Sequence, residues 1–450
     1  MLSRFTAYLR LWVSPARRSL LWITSGVVLS TAASFVVAIL TARGMDATDR
    51  GAYLQILAML AITAMLAQLG LGLPIISLAN GSVDVSNALV ARSRLFVWPS
   101  VLVAALACTY WSVKQVSENT ETVWALGLVV FVTTPVMVVG SRMLIRTRVR
   151  EDYAVLGIGS ATPTVLPAVI MAGLYVTATM NPLSALVAFL IGQIAVMALV
   201  YGRERFFPQR LDGEGNRGRD SVLAGRKELL RLGMLDLLAF GPSSVTGRLQ
   251  IIVIGVALSA AAASEYSVAA SLSSPLALLS TTLYSYFGSR YASATRADRP
   301  RLLRKGLQST LVAGAGISLV AILAAIALVP ILYGDEYASA VAPGAVMAIA
   351  GIAGIAGLVA SLALRLERRY TVVLVTSYVP LVGMLTLGWL AARHYGLMGF
   401  SLVLSAIALV ESVVLCLIAL RVAGNRQLKP GDGESDIAEL TEKDLGTGAV

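Results

Sequence analysis

The chain has 450 residues, of which 57% are hydrophobic and only 14% are charged. Ordinary soluble domains carry about 25% charged residues, so this composition excludes a soluble protein with a single anchor and indicates a polytopic membrane protein. The net charge of +11 also requires no nucleic-acid partner. The basic residues fall between apolar runs, where anionic lipid headgroups are the expected partners.

The first two apolar runs predict a transmembrane helical hairpin. No charged residue occurs in 19–42 or in 51–83, and a polar loop at 43–50 separates the two runs. Both runs exceed the roughly 20 residues that a helix needs to cross a bilayer core. Residues 1–18 precede the hairpin and predict a cytoplasmic helix that lies in the membrane interface.

The rest of the chain predicts ten further membrane-spanning helices, which makes an all-α fold of twelve. The predicted spans are 19–42, 52–79, 95–113, 122–141, 153–179, 183–201, 232–258, 266–289, 306–332, 338–364, 371–392 and 397–420.

The order of these spans predicts two similar halves. An N-lobe of six helices (19–202) is followed by a basic cytoplasmic linker (203–231) and a C-lobe of six helices (232–421). The polar tail, 422–450, is predicted to be disordered. Because each half has an even number of crossings, both halves have the same orientation, as in transporters whose lobes surround a central cavity.

The distribution of arginines predicts the orientation in the membrane. Basic clusters such as 142–150 and 290–305 all fall in loops on the side of the N-terminus. The positive-inside rule therefore places both termini in the cytoplasm. No cleavable signal peptide is evident, so we expect the first helix to remain as an anchor.

Four stretches, taken in order, carry a resemblance to a known family. They are LTARGMDATDRGAYLQ at 40–55, GRLQIIVIGVALSAAAASEYSVAASL at 247–272, LYGDEYASA at 332–340 and HYGLMG at 394–399. Together they resemble the polysaccharide-export, or O-antigen flippase, family of the multidrug/oligosaccharidyl-lipid/polysaccharide exporter superfamily. Each motif is weak alone, and their order and spacing carry the resemblance.

The resemblance implies a flippase of the bacterial plasma (inner) membrane. Such a protein moves an isoprenoid-diphosphate-linked oligosaccharide from the inner to the outer leaflet for polysaccharide biosynthesis. The implied partners are the lipid bilayer, this substrate, and a glycan polymerase or glycosyltransferases. The chain departs from the family at Gln250, which stands near a place where the family often has an acidic residue.

Arg248 is the strongest candidate site residue. It interrupts an apolar helix deep within the predicted span, where a charge that faces lipid costs at least about 2.5 kcal/mol. It is therefore expected to face a hydrated cavity, and its guanidinium fork suits a diphosphate. The alternatives are that it reaches the outer interface or forms a structural ion pair.

Polar residues in other helices extend this candidate site. Gln250, Ser271, Ser274 and Thr281 are further substrate-binding candidates, although such hydroxyls also satisfy backbone carbonyls in membrane helices. Glu411 and Asp236 are candidate ion-coupling residues. Other lumen candidates of low specificity are Gln55, Gln68 and Gln193.

No metal site, cofactor or enzymatic activity is predicted. The chain has two cysteines, Cys108 and Cys416, in apolar runs and a single histidine, His394. It lacks a phosphate-binding loop of the GxxxxGK[ST] type and any GxSxG, HExxH or CxxC motif. The alternatives to a flippase are a drug or cation antiporter of the same superfamily and a non-transporting scaffold for glycan assembly.

Overall fold

The structure is a computed structural model that describes residues 15–79, 83–115, 120–150, 152–206, 226–273, 276, 287, 290–291, 294–295, 297–367 and 369–425. Most of the predicted interfacial segment (1–18), of the linker (203–231) and of the C-terminal tail (422–450) lies outside these residues. Within the described ranges every regular element is helical. The all-α fold class is confirmed.

The described residues form thirteen α-helices, numbered in chain order. They are α1 (Pro15–Gly44), α2 (Ala47–Ala67), α3 (Gly72–Ala79), α4 (Val83–Gln115), α5 (Thr120–Val149), α6 (Tyr153–Val176), α7 (Pro182–Phe206), α8 (Arg226–Ala257), α9 (Ala260–Ser271), α10 (Arg299–Tyr333), α11 (Val341–Leu366), α12 (Tyr370–Gly383) and α13 (Trp389–Asn425). A 3₁₀ helix, Asp335–Ala340, precedes α11, and a π-helical turn, Met384–Gly388, joins α12 to α13.

The chain is a multi-pass membrane protein. Within the described residues, nine helical stretches are long and apolar enough to cross a bilayer, and the last, Tyr370–Gly424, contains two predicted spans. Gly396, with φ +64°, separates these two spans. Large apolar side chains on the spans are exposed, such as Val103 (67%) and Val312 (75%). Exposed apolar surface on this scale fits contact with lipid chains.

The predicted single helix at 52–79 is wrong, because the chain breaks between α2 and α3. Leu69 and Gly70 have φ values of +52° and +64°, in the left-handed region. A Cβ on Gly70 would lie 2.2 Å from the backbone oxygen of Gly233, so only glycine permits this approach of the break to α8. The unbroken apolar sequence concealed the break.

The predicted span at 232–258 is one helix, although it is not a uniformly apolar one. α8 runs for 32 residues through Pro242 and Arg248. Only its second half, Ser244–Ala257, is apolar along its length, and this half is shorter than the nine candidate membrane spans. Of the next predicted span, 266–289, the structure describes little beyond the end of α9.

The chain forms two compact units by its contacts. The first comprises residues up to Val268 together with Leu328–Ala340, and the second comprises 269–327 and 341–450. Segment 328–340 therefore packs with the first unit, although both of its neighbours in sequence belong to the second. The division into six-helix lobes at 203–231 stays a prediction.

Candidate functional site

The first unit holds two arginines in opposite environments, and the first of these is Arg50. The sequence places Arg50 in the polar loop at 43–50, which is wrong. α2 already begins at Ala47, and the Arg50 side chain is only 1% exposed. Burying a guanidinium is costly unless its N–H groups find acceptors, so its partners define a tightly built site.

Oxygen acceptors surround the Arg50 guanidinium. Nε donates to the Thr41 hydroxyl at 3.3 Å. Nη1 donates to the Ser264 hydroxyl at 2.9 Å and to the Ser264 backbone oxygen at 3.1 Å. The Ser264 hydroxyl lies 3.0 Å from the Tyr337 hydroxyl. Neutral oxygens from three separate segments therefore hold the buried cation.

Two aromatic rings complete the Arg50 cluster, which comprises Thr41, Arg50, Ser264, Tyr333 and Tyr337. The Arg50 Cζ lies 5.2 Å from the Tyr337 ring centroid and 6.0 Å from the Tyr333 centroid. Both distances are within the range of a cation–π attraction. Because all of these side chains are buried, the cluster is a structural cross-link with no room for a ligand.

The Arg50 cluster explains why three of the four sequence motifs occur together. Thr41 and Arg50 belong to the 40–55 motif, Ser264 to the 247–272 motif, and both tyrosines to the 332–340 motif. Nearby, Arg43 Nε donates to the Leu332 backbone oxygen at 3.1 Å. The motifs are distant in sequence and meet at one packed contact.

Next to this contact, Glu265 is half-buried in the middle of α9. Burial raises the pKa of the Glu265 carboxyl, and a hydrogen bond with the Ser339 hydroxyl opposes that rise. Ser339 belongs to the 3₁₀ helix, so this pair adds a further link between α9 and segment 328–340.

The second arginine, Arg248, lines a cavity of about 360 Å³ in the first unit. This cavity is called the Arg248 cavity below. Its walls come from α2, α5, α6, α7 and α8. The polar side chains in the wall are Gln68, Ser141, Gln193, Ser244 and Arg248. Two glutamines predicted as lumen candidates thus lie at the same cavity as the predicted arginine.

Arg248 lies deep along its helix and has no ion-pair partner among the described residues. It precedes the end of α8 at Ala257 by about nine residues, or about 14 Å at 1.5 Å per residue. The described residues of the cavity wall include no carboxylate. Arg248 is exposed, and among the described residues its positive charge has no acidic counterpart at this cavity, which borders the apolar half of α8.

The break between α2 and α3 helps to shape this cavity. Gln68 caps the end of α2, and its Nε2 donates to the backbone oxygen of Ala64 at 3.2 Å. The amide oxygen of Gln68 remains as an acceptor near the cavity wall. Close packing of Gly70 on Gly233 fixes α8 against the break.

A second cavity of about 380 Å³ lies between α1 and α6 and is almost entirely apolar. The hydroxyls that border it, those of Ser25 and Thr162, donate to Trp22 and Ile158 oxygens in their own helices. It therefore offers no polar ligand group, and we assign the candidate site to the Arg248 cavity.

The other predicted site residues lie elsewhere. Gln250 accepts a hydrogen bond of 2.7 Å from the Tyr266 hydroxyl. Ser271 is half-buried at the end of α9, and Asp236 is half-buried on α8. Glu411 is half-buried on α13 in the second unit. Ser274 and Thr281 lie outside the described residues. Their roles in binding or coupling stay predictions.

Cys108 is buried, Cys416 is half-buried, and both are free thiols. Across the described ranges, no group of three His, Cys, Asp or Glu side chains could hold a metal ion.

Comparisons with known proteins identify the fold. No protein-family model and no curated protein sequence matches the chain. Solved structures do match. An inward-facing multidrug resistance MATE family transporter of the MOP superfamily has 14% identity and a TM-score of 0.61, with 92% of this chain and 100% of that chain covered. An outward-facing one has 13% identity and a TM-score of 0.60, with coverage of 91% and 95%.

A MATE structure in complex with MaL6 has 14% identity and a TM-score of 0.63, with 91% of this chain and 96% of that chain covered. Inward- and outward-facing neighbours match about equally well, so the comparison identifies a fold and not a conformational state. Over about nine-tenths of its length, the chain therefore has the fold of these MATE transporters.

Proposed function

We propose that the protein is a flippase that translocates an isoprenoid-diphosphate-linked oligosaccharide from the inner to the outer leaflet of the bacterial plasma membrane. It would work by alternating access between two lobes, for polysaccharide biosynthesis. The fold supports a transporter, and the four motifs favour the polysaccharide-export branch. Both termini would be cytoplasmic, as the arginine distribution predicts.

The observation that carries this proposal is the arginine of the Arg248 cavity, which has no acidic partner among the described residues of the wall. A positive charge that has no carboxylate partner among the described residues of the cavity wall attracts an anion, and more strongly where water is excluded. A guanidinium can donate two parallel hydrogen bonds to phosphate oxygens. A diphosphate that passes through the membrane would find such a partner at Arg248.

The neutral polar groups of the cavity suit the sugar part of the substrate. Gln68 and Gln193 carry amides, and Ser141 and Ser244 carry hydroxyls. These groups both donate and accept hydrogen bonds, as sugar hydroxyls do. The isoprenoid tail would remain in the lipid, because transferring it to a polar cavity would expose apolar surface to water.

The partners in this proposal are enzymes of glycan assembly. Glycosyltransferases would supply the lipid-linked substrate at the cytoplasmic face, and a glycan polymerase would use it at the outer face. Their presence beside the flippase follows from the chemistry of the substrate, which must be assembled before translocation and joined or transferred afterwards.

A second candidate function is a drug or cation antiporter. The names of the structural neighbours, which are multidrug resistance MATE transporters, favour it. The Arg248 cavity argues against it, because an arginine would repel a cationic drug and the described wall has no acidic residue to bind one. Coupling in such an antiporter would have to use Glu411 or Asp236.

Replacement of Arg248 tests the flippase directly. In the native host, Arg248→Ala should lower glycan export at least tenfold and should accumulate lipid-linked glycan in the inner leaflet, since the diphosphate loses its partner. Arg231→Ala removes an exposed arginine from the same helix and is the matched control, with export expected unchanged. Arg248→Lys should retain part of the export, because the charge remains without the guanidinium fork.

The outcomes separate the candidate functions. Full export by Arg248→Ala would remove the diphosphate role. Gene deletion that raises drug sensitivity and leaves glycan export intact would favour the antiporter. A deletion strain that keeps normal amounts of lipid-linked glycan in both leaflets and yet loses glycan assembly would favour the scaffold.

A further inference from the structure

Three arginines come together between α4 and α5. Arg142 on α5 reaches across to α4, where its Nη2 donates to the Val90 backbone oxygen at 3.0 Å and to the Ser93 hydroxyl. Arg94 follows Ser93 directly, and Arg146 lies one turn beyond Arg142 on the same face of α5. We call Arg94, Arg142 and Arg146 the α4–α5 arginine cluster.

The cluster has no acidic partner within the described part of the chain. None of its members forms an ion pair there, and the nearby Asp152 pairs with Arg203 at 3.1 Å. The Nε atom of Arg146 is buried and lacks an acceptor. Like charges this close repel one another, and a buried N–H without an acceptor costs about 1–3 kcal/mol. A bound anion would reduce both the repulsion between the arginines and the cost of the unpaired N–H.

The position of the cluster indicates where that anion comes from. Arg94 directly precedes the predicted span 95–113, while Arg142 and Arg146 directly follow the predicted span 122–141, within helices that are longer than a bilayer core requires. The cluster is therefore at the level of lipid headgroups. Directly after Arg94, α4 exposes an apolar stripe of one helical face that would meet acyl chains: Leu95 (61%), Trp98 (48%), Leu102 (53%) and Leu106 (55%).

We propose that the α4–α5 arginine cluster, with the apolar stripe of α4, is a binding site for an anionic phospholipid with two phosphates, of the diphosphatidylglycerol (cardiolipin) type. The guanidinium forks would bind the phosphates, and the acyl chains would lie along the stripe. A free phosphate would use the cluster and gain nothing from the stripe. This inference does not depend on the flippase proposal.

Lipid retention by the purified full-length protein tests the site. The variant R94Q/R146Q removes two charges and keeps Arg142, whose hydrogen bonds join the two helices. Each arginine at a membrane surface is worth about 1 kcal/mol toward an anionic lipid, so cardiolipin affinity measured by native mass spectrometry should fall about 30-fold. Phosphatidylcholine retention should not change.

The matched control is R301Q/R304Q, which removes two exposed arginines from α10 and should leave cardiolipin affinity within about twofold. Equal loss in the control would mean general surface charge and would overturn the site. So would retention of cardiolipin by R94Q/R146Q at the wild-type level. Displacement of cardiolipin by millimolar inorganic phosphate would show a phosphate site without lipid selectivity, which also contradicts the proposal.

Discussion

The Arg50 cluster and the Arg248 cavity use the same side chain for opposite purposes. Arg50 is 1% exposed and has hydroxyls, carbonyl oxygens and two aromatic rings around it. Arg248 lines a cavity and has no ion-pair partner among the described residues. A buried charge whose donors are satisfied holds segments together, whereas a charge left without a partner is available to a ligand. Neighbours, and not residue type, distinguish a structural arginine from a functional one.

The largest effect should come from Arg50→Ala. The substitution removes four hydrogen bonds and two cation–π contacts and leaves a void, so the free energy of unfolding should fall by about 3–5 kcal/mol. Thermal unfolding of the purified protein in detergent measures the loss. Arg50→Lys should have an intermediate effect, because it keeps the charge and loses the fork. Wild-type stability of the alanine variant would contradict a structural role.

Gly51→Ala should be the next most damaging change. A Cβ at this position would lie 1.7 Å from the Ala260 backbone oxygen, so α2 and α9 would have to separate. Overpacking of this kind costs about 1–3 kcal/mol. The control is Gly173→Ala in α6, where no atom lies within 4 Å of the added Cβ. The control should be neutral or slightly stabilised, and equal melting temperatures of the two variants would refute the close contact.

Tyr337→Phe should have a smaller effect. It removes the hydroxyl that lies 3.0 Å from the Ser264 hydroxyl and keeps the ring beside Arg50. A loss of about 1 kcal/mol is expected, in line with one hydrogen bond. A loss as large as that of Arg50→Ala would mean that the hydroxyl, and not the cation, organises the cluster.

Arg248→Ala should have the smallest effect on stability, within about 0.5 kcal/mol, since no described ion pair depends on it. The same variant should lose export, as proposed above. This opposite pattern in stability and transport is what separates the two arginines. Destabilisation as large as that of Arg50→Ala would make Arg248 structural as well.

The sequence predicts the order and approximate limits of most of the described helices, because long apolar runs between charged loops leave few alternatives. It also predicts that Arg248 lies at a cavity, because an isolated charge in an apolar helix has few stable places. Both signals are local. They depend on composition along one helix and on no distant contact.

The features that the sequence does not predict are contacts between segments that are distant along the chain. The sequence predicts Arg50 as a loop residue because nothing near it indicates its partners. Ser264 and Tyr337 are more than 200 residues away in sequence. The break at Leu69 and Gly70 reads as continuous helix, since its cause is packing on Gly233. The repeated glycines in QLGLGLP at 68–74 were the available signal, and they suggest a break only when a close partner is known.

Segment 328–340 belongs to a different unit from the residues that precede and follow it in sequence. Its two tyrosines complete the Arg50 cluster of the first unit, while the chain before Leu328 and after Ala340 belongs to the second. A chimera that joins residues 1–225 to the remainder of a distant homologue would inherit Arg50 but neither Ser264 nor Tyr337. Recombination between such proteins would therefore have to exchange α8, the start of α9 and segment 328–340 together with the first seven helices.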